Sequence, residues 1–286
     1  MMCWKRRSVF VVALSFAIAF FVWSQMGMYI AHLLFGVDVE VNFFKLCISL
    51  FKEESLYYFL VIFLLNAFIA YTVLLTLYKV AEQYVLSKRF KTKLSHLNNH
   101  ELTTLFNQKF NRKKNDILVI DHDQSLAFTH GFIKPTIVLS TSLIKILENH
   151  ELEAVVQHET YHQKNYDSLK IFILQLISQG LWFIPITKWS YQNYKIISEL
   201  LADKYAISKT GSELGLSSAL VKLIKICFKE NARPVLVHFS DESVNYRLQQ
   251  LVSPKNSIPV SLNKRSVFIS IQVLIFLMAM IIIAIA

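Results

Sequence analysis

The chain has 286 residues, room for one ordinary domain plus membrane segments, and 54% of them are apolar, above the soluble norm of about 45–50%. Its three cysteines (Cys3, Cys47 and Cys227) are too few and too scattered for a disulfide framework or a cysteine-based metal site. A formal charge of +10 raises nucleic acid as a partner, but the Lys and Arg residues cluster beside apolar runs, so direct nucleic-acid binding is not expected.

Val9 to Phe35 is an almost uninterrupted apolar run, preceded by Lys5, Arg6 and Arg7 and long enough to cross a bilayer with tilt. It continues well past the small-residue pair Ala17 and Ala19, beyond a signal-peptide core, and so predicts an uncleaved anchor. Leu56 to Tyr78 predicts a second span, and Ser266 to Ala286 a third, with Gln272 its one strongly polar position. The first loop holds only Lys45 and Lys52 against Asp38, Glu40, Glu53 and Glu54. Lys79, Lys88, Arg89, Lys91 and Lys93 follow the second span, and Lys264 and Arg265 precede the third. By the excess of positive charge on cytoplasmic loops, residues 79–265 are expected inside and the 36–55 loop outside.

Within 79–265, Tyr84 to Arg112 reads as helical, with Leu94, Leu97, Leu102, Leu105 and Phe106 at helical spacing. Ile117–Ile120, Ser125–Thr129 and Thr136–Ser140 read as the strands of a small sheet, separated by Asp121-His122-Asp123 and Gly131. Thr141 is placed to cap a helix carrying Leu143, Ile144 and Leu147. The next helix contains His158-Glu159-Thr160-Tyr161-His162. Residues four apart lie one turn apart on one helix face, so His158 and His162 can present two imidazole nitrogens to one metal ion. Glu159 sits beside the first of them, where it can take a proton from a water at that metal. A catalytic zinc needs a third protein ligand and an open position. The best candidate is Glu199, with Asp203 one turn on as either an orienting partner of a ligand histidine or an ordinary helix charge.

Ile171 to Ile186 is apolar, but Gln175, Ser178, Gln179 and Gly180 interrupt it and it is short for a crossing. A full crossing there would also put Glu199 on the opposite side of the membrane from the histidines. The segment is expected to dip into the bilayer or lie at its surface, with Trp182 and Trp189 as anchors, or else to be a buried core helix.

Taken together, these pieces resemble the BlaR/MecR-type membrane zinc metallopeptidases and share features with membrane gluzincins related to the CAAX-processing endoprotease. The matching residues are Ala127-Phe128-Thr129 with Gly131, Pro135 to Ser140, and Glu151 to Val155 leading into His158-Glu159 and His162, with Asp167 beyond. Leu181-Trp182-Phe183 with Pro185, Glu199 to Asp203 and Arg247-Leu248 complete the set. The resemblance implies His158, His162 and Glu199 as zinc ligands, Glu159 as acid/base and Asp203 as a residue behind the ligands. It further implies that the strand at Pro135–Ser140 lines the cleft and accepts substrate backbone as an added strand. The family's sensor members carry a penicillin-binding domain after the last span and one more span near the N-terminus. The expectation here is the peptidase without that sensor domain.

The resulting expectation is an integral membrane, mainly α protein with a small β-sheet, in which a cytoplasmic zincin-like domain lies between transmembrane helices. It is expected to use Zn2+ to cleave a protein or peptide at the membrane face, with a transcriptional repressor as a candidate partner and peptide maturation as the alternative. Arg247, His238 and Tyr246 are candidates to stabilise the oxyanion; His32, His96, His100, His122, His130 and His150 are read as structural or solvated. A non-catalytic receptor or scaffold is the rival from another class, and the intact Glu159 argues against it. An intramembrane protease with its histidine helix in lipid is opposed by Glu148, Glu151, Glu153, Lys164 and Asp167 around the motif.

Overall fold

The computed structural model describes residues 2–37, 41–53, 55–229, 246–249 and 263–285. Its helices and strands follow in the order α1 (Met2–Phe35), α2 (Phe43–Ser49), α3 (Leu56–His96), α4 (His100–Lys109), β1 (Ile117–Ile120), β2 (Ala127–His130) and β3 (Thr136–Ser140). They continue with α5 (Thr141–Ile146), α6 (Asn149–Asn165), α7 (Asp167–Gly180), α8 (Pro185–Thr210), α9 (Glu213–Lys229) and α10 (Lys264–Ile285), with a short helical stretch at 246–249 before the last. Among the described residues, Trp4–Phe35 and Leu56–His96 are long and apolar enough to cross a membrane.

The chain divides into two compact units. One comprises 10–83, 173–192 and 260–286. Its core brings Ile18, Val22 and Met26 of α1 together with Ile69 of α3, Ile177 of α7, Leu181, Ile184 and Leu277 of α10. The ambiguous 171–186 segment is therefore two helices broken at residues 181–184, with Leu174, Ile177, Leu181 and Ile184 fully buried.

The other unit comprises 1–9, 84–172 and 193–259, and contains the sheet and the histidine motif. Side chains alternate across a strand. Ile117, Val119, Ile137 and Leu139 accordingly share a core with Phe106, Leu143, Leu152, Val155 and Val156, while Ile120 and Val138 turn the other way onto Leu94 and Phe90 of α3. The strand order is β1-β3-β2, with β3 parallel to β1 and antiparallel to β2. This corrects the expectation that Pro135–Ser140 accepts an added strand, because β3 is hydrogen-bonded along both edges. The outer edge of β1 is also engaged: Asn99 N–H donates to Val119 at 2.8 Å and Asp121 N–H to Leu97 at 2.8 Å. That pairing explains why Tyr84–Arg112 is not one helix. The chain leaves α3 at residue 97 to pair with β1, and Asn99, whose side chain accepts from Leu102 N–H, restarts it as α4.

Two local features anchor the motif helix. Ser140, rather than Thr141, caps α5 by accepting from Leu143 N–H, because Thr141 already lies within the helix. Buried Glu151 accepts from Glu148 N–H at 2.8 Å at the start of α6 and from Lys222 Nζ of α9 at 2.7 Å. At the β2–β3 turn Gly131 has φ +107°, and a Cβ there would meet the Lys134 carbonyl at 3.0 Å, so the turn that sets the register of β2 calls for glycine. In that register Thr129 lies opposite Ile137, at the end of the sheet that meets α6.

Candidate metal centre

His158 and His162 lie on the buried face of α6, and Glu199 and Asp203 occupy successive turns of α8. The two Nε2 atoms are 3.1 Å apart. Glu199 approaches both, Oε2 at 3.4 Å from His158 Nε2 and Oε1 at 3.5 Å from His162 Nε2. Ligand atoms about 2.0–2.1 Å from a tetrahedral metal are separated by roughly 3.3–3.4 Å from one another. The two nitrogens and the Glu199 carboxylate, each of whose oxygens approaches one of them, therefore stand close enough to share one ion, and they form the one group of this kind among the described residues.

Each imidazole is also held from behind. Asp203 Oδ1 stands 2.8 Å from His158 Nδ1, and Asp167 Oδ2 stands 2.8 Å from His162 Nδ1. A carboxylate on Nδ1 fixes the ring's orientation and leaves Nε2 to the metal. Asp167 reaches His162 only because the helix breaks between them. On a continuous helix five residues would place it about 140° around the axis. Tyr166 is instead left-handed, with φ 54° and ψ 41°, and starts α7 in a new direction. Asp167 also accepts a 2.6 Å hydrogen bond from the Tyr194 hydroxyl of α8.

Arg247 closes the acidic side. Its Nε and Nη2 donate to Asp203 Oδ2 and Oδ1 at 2.9 and 2.8 Å, and its Nη1 lies 3.2 Å from Glu199 Oε2. A planar guanidinium committed in this way to buried Asp203 and half-buried Glu199 organises both carboxylates. Tyr246 beside it is half-buried, and His238 lies outside the described residues. Among the described histidines, only His158 and His162 enter the cluster.

The electrostatics reflect this concentration of charge. Burial and the Arg247 charge push the His158 pKa down, but Asp203 and Glu199 outweigh them and it ends raised. Burial also opposes the charged form of His162, yet Glu199 and Asp167 carry it up to about 9. Burial disfavours the Glu199 and Asp203 carboxylates too; His162 and His158 for the first, and Arg247 with His158 for the second, hold both below the usual carboxylate range. Tyr161 is pushed up to about 12 by burial and by the charge of Asp167. The cluster thus calls for positive charge between His158, His162 and Glu199, which imidazole protons or a metal cation can supply. Donor type, spacing and charge all fit a metal.

Glu159, 7% exposed, is not one of the three donors. The Thr129 hydroxyl on β2 donates to it, 2.8 Å from Oε2 and 3.0 Å from its backbone carbonyl, and fixes the carboxylate beside the cluster. Thr129→Val keeps the shape and removes that donor. Turnover is expected to fall about tenfold, in line with one lost hydrogen bond of about 1–1.5 kcal/mol, with Thr129→Ser restoring it. Equal turnover in the Thr129→Val and wild-type enzymes, measured on one peptide, would remove Thr129 from the site.

The links from Thr129 to Glu159, Asp167 to His162 and Tyr194 to Asp167 go beyond the roles expected from sequence. The available signal was Asp167 just after the histidine helix. The αL position that lets it swing back is taken by Tyr166, neither a glycine nor an asparagine, and so is unmarked in the sequence. No curated protein matches this chain, whereas the family model described as BlaR1 peptidase M56 matches residues 49–251. That match spans well over half of the sequence and contains every residue of the cluster, and the chain belongs to the BlaR1 peptidase M56 family.

Proposed function

We propose that this peptidase is a zinc-dependent endopeptidase, anchored by several membrane-spanning helices, that cleaves a protein or peptide at the cytoplasmic face. The carrying observation is the meeting of His158 Nε2 and His162 Nε2, 3.1 Å apart, with the Glu199 carboxylate, whose Oε2 lies 3.4 Å from the first and Oε1 3.5 Å from the second, and with Glu159 beside them. These three side chains would hold the zinc. When bound, zinc acidifies a water toward a pKa of about 7 and polarises the scissile carbonyl. Glu159 accepts a proton on its carboxylate as the water attacks, and then returns it to the leaving amine nitrogen. Thr129 keeps that carboxylate in place through both transfers.

The substrate backbone is best accommodated on β2, whose outer edge flanks Thr129. Ser140 N–H donates to the Leu126 carbonyl at 2.9 Å, which places Leu126, Phe128 and His130 facing β3 and turns Ala127 and Thr129 outward. An extended peptide added there would run past the residue that holds the general base. The family resemblance supports a transcriptional repressor as substrate, and a comparison of cleaved peptides from cells carrying wild-type or Glu159→Gln chains would find it.

The direct test is metal removal. Purified chain in detergent should cleave a mixed peptide library, lose cleavage when a chelator strips the metal, and recover it with one equivalent of zinc. Cleavage that persists in the metal-free chain would end the zinc reading.

Membrane topology rests on two apolar helices, a third apolar run in α10, and the Lys/Arg distribution. In a chain whose Cys3, Cys47 and Cys227 are replaced by serine, exposed Lys52→Cys should react with an impermeant thiol reagent in intact cells, and exposed Lys113→Cys should not. Labelling at both positions would overturn the assigned orientation.

A further inference from the structure

The first turns of α1 belong to the same compact unit as the metal centre. Two contacts seat them on α8. Trp4 is 2% exposed, and Lys204 of α8 places its Nζ 5.8 Å from the indole centroid. One α1 turn further on, the Ser8 hydroxyl donates to the oxygen of Tyr194. Tyr194 is itself 2% exposed, and its hydroxyl proton goes to Asp167 Oδ1 at 2.6 Å. The other Asp167 oxygen lies 2.8 Å from His162 Nδ1. Ser8, Tyr194, Asp167 and His162 thus form an unbroken chain of polar contacts, from the start of the apolar N-terminal helix to a ring whose Nε2 points at the donor group.

A tyrosine hydroxyl with one donor and one acceptor role filled has a fixed orientation, and so does the carboxylate it donates to. We infer that Tyr194 is a positioning residue for the metal centre, and that Ser8 of α1 orients it, so that the seating of the N-terminal helix sets how firmly His162 is held. Neither residue touches substrate or reacting atoms. This role rests on the zinc reading above. Ser8 and Tyr194 nonetheless stand apart from the ligands and from Glu159, so they can be altered while the donor set remains whole.

Zinc affinity measured by chelator competition, on the full-length chain in detergent, tests the role, with the unfolding midpoint of the metal-free protein recorded alongside. Tyr194→Phe keeps the ring and deletes the hydroxyl. It should weaken zinc about tenfold, the lower end of the effect of losing a partner behind a metal ligand. With zinc saturating, its KM for peptide should be unchanged. Ser8→Ala leaves the Tyr194–Asp167 bond in place and should give a smaller loss, roughly threefold. Ser8→Thr, which retains a hydroxyl, should bind like wild type. Because the two residues act through one chain, the double variant should be no weaker than Tyr194→Phe alone. A Tyr194→Phe chain that unfolds at lower temperature but binds zinc within twofold of wild type would reduce the residue to packing and overturn the proposal. Additive losses would remove Ser8 from the chain and overturn its part. If Tyr194→Phe does not fold, the half-buried Ser8 pair decides, and equal affinity in Ser8→Ala and Ser8→Thr refutes the link to α1. A wild-type chain that binds no zinc would sink the metal centre itself, and this role with it.

Discussion

Glu159→Gln is expected to lose at least about 10²–10⁴-fold in turnover while keeping one zinc per chain. Glutamine has nearly the same volume, and its amide oxygen can still accept from the Thr129 hydroxyl, which lies 2.8 Å from Glu159 Oε2. What disappears is the ability to take a proton from water and return it to the leaving amine. Glu159 is absent from the donor group, so metal content should hold. The measurements are kcat on a defined peptide and zinc by elemental analysis of the same preparation. Wild-type turnover with zinc still bound would reject the carboxylate as general base, and a receptor or scaffold that retains the metal fold would become the better account.

Glu199→Ala should be the most damaging change for the metal itself. It removes one of three donors and also alters what Arg247 does, since Glu199 Oε2 lies only 3.2 Å from Nη1. Without that oxygen, a guanidinium still held by Asp203 sits uncompensated beside the cation's position. Affinity should therefore fall well beyond the about 10–100-fold typical of a partner behind the ligands. Competition with a chromogenic chelator reads the effect directly. Full occupancy in Glu199→Ala would mean that another carboxylate completes the ligand set. Asp203 and Asp167 are poorly placed for that, because both lie on the Nδ1 side of their imidazoles.

The parts of this molecule that were legible from sequence are those fixed by short-range periodicity. His158 and His162 follow from helix geometry within one turn, and the three strands follow from β-branched runs bounded by turn residues. Strand order was not legible. Nothing local places β3 between β1 and β2, and that order moves the edge without a partner strand, among the described residues, from Pro135–Ser140 to Ala127–His130, where the Ser168 hydroxyl donates to the Thr129 carbonyl at 3.2 Å. The break at residues 97–99 was hidden for a similar reason. The local apolar spacing favours one helix, but pairing with β1 overrides it. Thr129 and Tyr194 look unremarkable in isolation, and their roles exist only once β2 and α8 are brought to α6.

Arg247 is the last residue of this cluster to be synthesised, 44 residues after the Asp203 it pairs with. At a ribosomal rate of about 5–20 residues per second, several seconds separate the two. During that interval the nascent chain already contains both histidines and both acidic side chains of α8, but lacks the guanidinium that offsets their charge. Burying Asp203 without the two hydrogen bonds from Arg247 is unfavourable, which disfavours the final arrangement of α6 and α8 until that residue arrives. Completion of the cluster is thereby deferred until the translation machinery has passed residue 247, after the two N-terminal apolar helices have emerged.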